Sequence, residues 1–344
     1  MSARSVSLLG VLVLLLAGCG FGSGPKAITG EFEGRDCELY TVAGNWLVYA
    51  WSPPVPSSRP IHLVVRDLST GVETELEPDW YAPGPIADNG LLVYAKPAGG
   101  GDRNIVVYDL QAQTRETLYT GKVSDLAFSG STVAWQTLNG DGSRVIALMP
   151  VRGGSLRLIE DAARPEQGVD SAPRISGSRL VFLRRDLSTS EYTIMLHDVS
   201  VGTTEALLMA VPSSPSFDLS EGRLVYIKKG EDVIYLMDLD TRVERALVEV
   251  PRRTEGPVIR GNIVAWTSHM RAEDFKGIGG RPLIDERDFR TLHALNVDTG
   301  TSITPIRDRF MLRRVQISDD RQIYALVPRE ITTSPGEIKD VVRF

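Results

Sequence analysis

Forty-four acidic side chains, four histidines and two cysteines are the chain's main material for catalysis or metal binding. Asp298-Thr299-Gly300 spells the aspartic-protease signature. That chemistry needs two such carboxylates sharing a proton. The chain supplies one, in a slot that elsewhere reads Ser69-Thr70-Gly71, so a turn is expected. Asn139-Gly140-Asp141-Gly142-Ser143 looks like the start of a calcium loop, whose twelfth position must be a bidentate Glu. Here it is Pro150, and a hairpin turn fits better. Pro97 to Asp102, with three glycines, suggests a phosphate cradle, but no Lys-Ser/Thr pair follows it and a flexible loop is expected. His62, His197, His269 and His293 form no His-x-x-x-His pair and do not neighbour cysteine at metal spacing. His269 is placed in a loop and is the weak candidate among them. There is no Gly-x-Ser-x-Gly elbow. No catalytic residue, metal site or cofactor is expected.

Cys19 is different. Arg4 gives a short basic start, and Val6 to Leu16 is apolar apart from Ser7 and Gly10. That run suits a signal-peptide core and is too short to span a bilayer stably. It ends in Leu16-Ala17-Gly18-Cys19, which resembles the lipobox of bacterial lipoproteins. A thiol there carries a diacylglycerol, and small residues before it admit the peptidase. Two or three acyl chains anchor stably where one is marginal. Residues 1–18 therefore read as a signal peptide and 19–26 as a lipidated tether, Gly/Ser/Pro-rich from Phe21 to Lys26. Gly20 in place of Asp fits the periplasmic face of the outer membrane in a Gram-negative cell. In a Gram-positive one the site is the outer surface of the cytoplasmic membrane. Cys37, the other cysteine, is expected to be buried as a small hydrophobe. The other reading is a reactive thiol or intermolecular disulfide.

The formal net charge of −6, with signs interspersed, lacks the basic footprint that nucleic acid requires. Two cysteines build neither a disulfide framework nor a zinc site. A 42% hydrophobic content is enough for a core.

A repeat positions everything after the tether. Gly44, Gly90, Gly130, Gly177, Gly222, Gly261 and Asp320 recur at spacings of 39 to 59 residues. Four or five residues after each stands an aromatic: Tyr49, Tyr94, Trp135, Phe182, Tyr226, Trp266 and Tyr324. A small or β-branched residue precedes each one. Every unit then has a β-rich run ending in Asp-Leu or a relative, and a turn, as in Val65-Arg66-Asp67-Leu68-Ser69-Thr70-Gly71. Asp or Asn caps such a turn with its side chain, and Gly supplies positive φ. In the third unit Pro150 takes the Asp position and Gly153-Gly154 make the turn.

Four short strands in roughly 45 residues, without helical periodicity, indicate a β-propeller blade. The expected fold is all-β: a single propeller domain over residues 27–344, with seven four-stranded blades, strands a to d running outward from the axis. In the fourth unit, a is Pro173 to Ser176, b is Leu180 to Leu183, c is Tyr192 to Val199 and d is Glu205 to Leu208. The seventh unit has a b strand at Gln322 to Val327 and a c strand near Ile338 to Val342, but no d strand. Ala27 to Glu33 precedes the first a strand, Glu38 to Val42, and is expected to supply the missing outer strand. Closure of that kind removes exposed edges.

The phrase Pro173-Arg174-Ile175-Ser176-Gly177-Ser178-Arg179-Leu180-Val181-Phe182, followed by a strand and Asp-Leu-x-Thr-Gly, resembles the TolB-like β-propeller repeat. The resemblance covers about residues 38 to 342. The family's Ser-Pro-Asp-Gly turn is absent, and Ile317-Ser318-Asp319-Asp320 is its nearest copy. The α/β domain that precedes the propeller in TolB has no room here. The resemblance implies a surface or periplasmic binding or scaffolding module and transfers no catalytic residue.

Function is then a choice between two readings. The first is a lipid-anchored, monomeric cell-envelope propeller, held to the membrane through the lipid on Cys19 and binding an envelope protein or glycan. The second is a propeller hydrolase, lyase or lactonase with carboxylates converging on the channel. The a strands carry little charge, with only Asp88, Asp125, Asp218 and Arg260 near them. The b–c loops Ser52 to Pro60, Lys96 to Asn104, Arg184 to Glu191 and Ser268 to Phe289, with the d–a connection Asp161 to Ala172, place the long loops on one face. The partner is expected there. Arg271, Phe275 and Arg281 of the charged sixth-unit insertion are the candidate anchors, because aromatic and Arg side chains dominate hot spots. The lipobox gives a direct test. Radiolabelled palmitate fed to expressing cells is expected to label the wild type and not Cys19→Ala; equal labelling of both would end the lipoprotein reading.

Overall fold

The computed structural model describes residues 26–27, 36–52, 61–78, 84–159, 168–209, 217–228, 231–250, 254–269, 290–306, 313–317, 321, 323–328 and 339–343. Cys19 and residues 270–289, with Arg271, Phe275 and Arg281, lie outside them. The described strands begin with β1 (Lys26–Ala27). The first blade is β2 (Asp36–Ala43), β3 (Trp46–Ser52), β4 (His62–Asp67) and β5 (Glu73–Glu77). The second is β6 (Ile86–Asp88), β7 (Leu91–Gly99), β8 (Asp102–Asp109) and β9 (Thr114–Gly121). The third is β10 (Ser124–Ser129), β11 (Thr132–Leu138), β12 (Arg144–Pro150) and β13 (Arg157–Leu158). The fourth is β14 (Gly168–Ser176), β15 (Arg179–Asp186), β16 (Glu191–Asp198) and β17 (Thr203–Met209). The fifth is β18 (Phe217–Ser220), β19 (Arg223–Ile227), β20 (Val233–Asp238) and β21 (Glu244–Glu249). The sixth is β22 (Thr254–Arg260), β23 (Ile263–His269), β24 (Arg290–Asn296) and β25 (Ser302–Ile306). β26 (Arg313–Ile317), β27 (Ile323–Pro328) and β28 (Lys339–Arg343) complete the set.

These strands make seven four-stranded antiparallel sheets, and the last has the order β1-β28-β27-β26. Its outer strand comes from the N-terminal segment, with Lys26 opposite Arg343 and Ala27 opposite Val342. Pairing thus includes Lys26, which the sequence reading assigned to the tether, and residues 28–35 are outside the described set. The inner strands meet in sequence, and β2 touches both β6 and β26, so the sheets form a closed ring. The fold is an all-β β-propeller.

Register explains the four-or-five spacing of the aromatics. In six blades the aromatic is the fourth residue of strand b: Tyr49, Tyr94, Trp135, Phe182, Tyr226 and Trp266. The preceding turn has two central residues. Where Gly is the first of them, as at Gly44, Gly130, Gly177 and Gly261, the count is five. Where it is the second, after Asn89 (φ 49°) or Glu221 (φ 50°), the count is four. Positive φ at one or both central residues matches the twist of hairpin strands.

Strand b is buried on both sides, which is why it reads as a continuous apolar run. Leu92 and Tyr94 pack into a layer shared with the first blade, and Val93 and Ala95 into one shared with the third. Val133 and Trp135 face the second blade, Ala134 the fourth. Leu180 and Phe182 face the third, Val181 and Leu183 the fifth. Leu224 and Tyr226 face the fourth, Val225 the sixth. From the second blade to the sixth the aromatic faces the preceding blade, and the residue before it, where its layer is defined, faces the next.

The Asp-Leu phrase closes the tight-turn face. The Leu68 N–H donates to the carbonyl of Asn45, and Leu110, Val151, Val199, Leu239 and Val297 donate in the same way to Gly90, Ser131, Ser178, Gly222 and Asn262. In the first six blades the c–d turn is thus tied to the a–b turn of the same blade. The third blade keeps the bond through Val151 although Pro150 replaces Asp. Asp67, Asp198 and Asp238 cap their turns. Hydrogen bonds from the Ser69 and Ser200 hydroxyls and from the Thr241 N–H hold the three carboxyls below the ordinary value. Their stabilisation is present at neutral pH and is lost as pH falls through the lowered values.

Several expected boundaries move. The fourth a strand starts at Gly168 and carries a bulge between Ser171 and Arg174. Two b–c connections expected to be long are tight. β7 runs to Gly99 and β8 starts at Asp102, so the glycine-rich segment is a hairpin end and not a flexible loop. Likewise β15 and β16 leave only residues 187–190 between them. In both cases ladder pairing continues through polar residues, and its backbone bonds do not depend on side-chain polarity.

Phe182 is fully buried between two blades. Phe182→Ala is expected to cost about 3–5 kcal/mol in urea unfolding; a loss within error of zero would mean that the layer does not hold the ring.

Candidate functional site

Charge converges at the axis, through the ends of the inner strands. The last residue of an a strand accepts from the turn of the next blade. The Gly130 N–H donates to Asp88 Oδ2 (2.7 Å), Glu221 N–H to Ser176 Oγ (2.9 Å) and Gly261 N–H to Ser220 Oγ (3.1 Å). A second tier lies deeper, where the Ala172 N–H donates to Asp125 Oδ2 (3.2 Å) and the Ile259 N–H to Asp218 Oδ2 (2.9 Å). Two of the acceptor or donor positions need unusual backbone. Asp125 (φ 47°) and Ala172 (φ 50°) sit at bulges of β10 and β14. Bulges re-aim side chains in this way.

Two arginines complete the arrangement. Arg260 Nη2 donates to Asp88 Oδ1 at 3.1 Å. These residues end the inner strands of the sixth and second blades, so the ion pair crosses the channel at its tight-turn mouth. Arg174 of the fourth blade lies 3.5 Å from Asp218 Oδ1 of the fifth and over the Phe217 ring. Burial raises the Asp218 pKa, opposed by Arg174, by the N–H groups of Ile259 and Leu219, and by Arg260. A raised carboxyl in a cleft is the profile of a general acid or base. Both oxygens of Asp218 are engaged, one by a backbone N–H and one by an arginine. Both oxygens of Asp88 are engaged in the same manner.

Of the four charged residues flagged near the a strands, the structure brings Asp88 and Arg260 together and gives Asp125 and Asp218 backbone partners. Arg174 was missed, although its alternation with Ser176 on an inner strand was a usable signal. A second missed pair is Asp170 with Arg184, bidentate at 2.7 and 3.1 Å, where Asp170 is fully buried.

The histidines do not converge. His62, His197 and His293 lie in β4, β16 and β24, as expected of c strands. His62 stacks on Trp51 (centroids 4.0 Å apart) and contacts Glu75. His197 contacts Thr204, and His293 stacks on Trp266 and meets Ser268 Oγ at 2.7 Å. Burial lowers the pKa of both His197 and His293. His269, expected in a loop, ends β23 opposite Arg290. The insertion therefore begins after His269 and not at Ser268. Cys37, placed before the first strand, lies within β2 opposite Trp51.

The remaining motifs behave as turns. The Ser143 N–H donates to Asp141 Oδ1, and the Asn139 N–H to the Ser143 carbonyl. Asp298 follows the Asn296 cap and pairs with Arg223 of the neighbouring blade at 3.0 Å. Among the described residues no group of three or more His, Cys, Asp or Glu is placed to hold a metal ion.

The cross-channel pair can be measured. Arg260→Ala is expected to destabilise by about 1–2 kcal/mol. In a double-mutant cycle with Asp88→Asn, additive urea midpoints would show that the two side chains do not interact.

No protein-family model and no curated protein matches the sequence. Solved structures do match in shape. The β-propeller domain of the trilobed protease from Pyrococcus furiosus aligns with a TM-score of 0.64 at 14% identity, over 91% of this chain and 96% of that one. A prolyl endopeptidase aligns with the same score and identity over 92% of this chain, which spans only 47% of that protein. TolB from Acinetobacter baumannii aligns at 16% identity with a TM-score of 0.48, a likeness too loose to carry weight. At such identities the likeness is one of fold, and the chain is similar to the propellers that peptidases carry.

Proposed function

We propose that the chain is a lipid-anchored propeller of the cell envelope that binds a protein or glycan partner and acts without chemistry of its own. One observation carries the choice of binding over catalysis. Two carboxylates of the inner strands, Asp88 and Asp218, each have one oxygen held by a backbone N–H and the other by an arginine from a different blade. A carboxylate used as acid, base or nucleophile must meet substrate within hydrogen-bond reach. These are committed to joining blades. The TolB-like repeat and the likeness to peptidase propellers support a module that presents a surface, since such folds host many functions and the site must decide.

The binding face in this reading is the one bearing the d–a and b–c connections, on a seven-bladed ring closed by β1. Arg271, Phe275 and Arg281 of the sixth-blade insertion are its anchors. The pairing of His269 with Arg290 marks where the insertion can be cut without disturbing the sheet. Replacing residues 270–289 with a short Gly-Ser turn is expected to abolish the crosslinks that the wild type forms to its partner in intact envelopes, at unchanged melting temperature. A full partner profile from the folded variant would exclude the insertion. The enzyme alternative rests on Asp218: turnover of an ester or glycoside panel that disappears in Asp218→Asn would replace the binding reading with a catalytic one.

A further inference from the structure

A lipid fixed beside one face of a propeller decides which face meets the membrane. β1 is short, but its direction is defined. Lys26 lies opposite Arg343, which lies opposite Tyr324 at the start of β27. β27 leaves the a–b turn there, so Lys26 stands at the tight-turn end of the ring and Ala27 runs away from it. β1 therefore begins on the tight-turn side.

Cys19 is seven residues upstream of Lys26. A random coil of seven residues has a root-mean-square span of about 15 Å. Its limit when fully extended is about 25 Å. The eight-residue strands β15 and β16 make a blade about 26 Å tall. Bringing the lipid to the opposite face would take the whole link, stretched down the outside of the ring.

The tight-turn face also has the surface for it. Val72, Leu156, Val201 and Val243 are exposed large aliphatics, and all four lie in c–d connections, of the first, third, fourth and fifth blades. Val201 is 72% exposed at the tip of its turn. Beside Val201 and Val243, three charge pairs join neighbouring blades. Arg179 meets Asp240 and Arg223 meets Asp298, each at 3.0 Å, and Arg242 meets Glu205. Exposed aliphatic side chains beside paired charges and self-capped turn carboxylates can approach lipid headgroups while the charges keep their partners or their water.

We propose that the tight-turn face is a lipid-facing surface, with Val72, Leu156, Val201 and Val243 against the headgroup layer, and that the opposite face is held toward partners. This rests on acylation of Cys19. The occupant is the bilayer that carries the anchor.

The test places the photoreactive residue p-benzoylphenylalanine at each of these four positions, and, on the opposite face, at Leu138, which ends β11, and Leu187, in the fourth b–c turn. The chain starts at Cys19 and carries Cys37→Ser, so that its one thiol can be coupled to a maleimide lipid. The vesicles are of phosphatidylethanolamine and phosphatidylglycerol. Lipid adducts are expected at positions 72, 156, 201 and 243, exceeding those at 138 and 187 by about ten-fold. Equal yields on both faces, a reversed pattern, or crosslinks to a second copy of the chain in place of lipid would each overturn the assignment. Because the tether is chemical, the adduct pattern is read independently of the cell. Failure of palmitate to label Cys19 in cells, with the pattern intact, refutes the anchoring reading alone and upholds the geometry.

Discussion

Every blade depends on its neighbours because strand b is buried on both faces. An isolated four-stranded sheet of this sequence would expose the apolar run Leu47-Val48-Tyr49-Ala50, or its equivalent, to water on both sides. Stacking converts each run into half of two dry layers. The aromatic fills the layer toward the preceding blade, and the smaller residue before it faces the next. At about 25 cal/mol per Å² of apolar surface, that burial dominates what stabilises the ring. It also means that the ring must close, since an open first or last blade would leave one of its layers wet. β2 meets that need by packing against β26, β27 and β28, and the two residues of β1 complete the outer edge of the final sheet.

Polar chemistry is spent mainly on holding this arrangement in register. The Asp or Asn that ends strand c caps its turn, and the next residue donates to the a–b turn of the same blade. Side chains that end the inner strands reach across to the next blade. Buried tyrosines follow the same logic. Tyr49 donates to Glu73, Tyr94 to Glu77, and Tyr226 to Glu244, each beside a cation. Desolvation, with the adjacent Glu, pushes the Tyr94 and Tyr226 hydroxyls well above their ordinary value, so they stay protonated donors. The carboxylates that the sequence left as candidates for acid–base work are absorbed into the same framework.

The two faces consequently differ in kind. One consists of tight, mutually hydrogen-bonded turns with paired charges and a few exposed aliphatics. It is also the face at which β1 begins, with Lys26 opposite Arg343. The other carries the connections whose length is free to vary, above all the one between His269 and Arg290. Rigid scaffolds with variable loops on one side are the usual geometry for recognition. The proposed anchor, on the opposite side, would leave that surface unobstructed.

Much of the fold was legible in the residues alone. Period, hairpin chemistry and the recurring aromatic belong to local sequence, because turn type and strand register are set within a few residues of each glycine. The strand limits were less so. Pro97 to Gly99 and Arg184 to Asp186 read as loop by composition, yet the ladder extends through them, because backbone pairing does not consult side-chain polarity. The axis was legible only as a short roster of charges. Asp88 and Arg260 are 172 residues apart. Nothing local distinguishes them as a pair across the channel from two solvated side chains. Nor could the chain alone show that Asp218 is held by a neighbour's N–H, or that Lys26 begins a strand. Those relations arise from closing the ring, which brings together residues that are distant in sequence and gives each a partner that only the tertiary structure supplies.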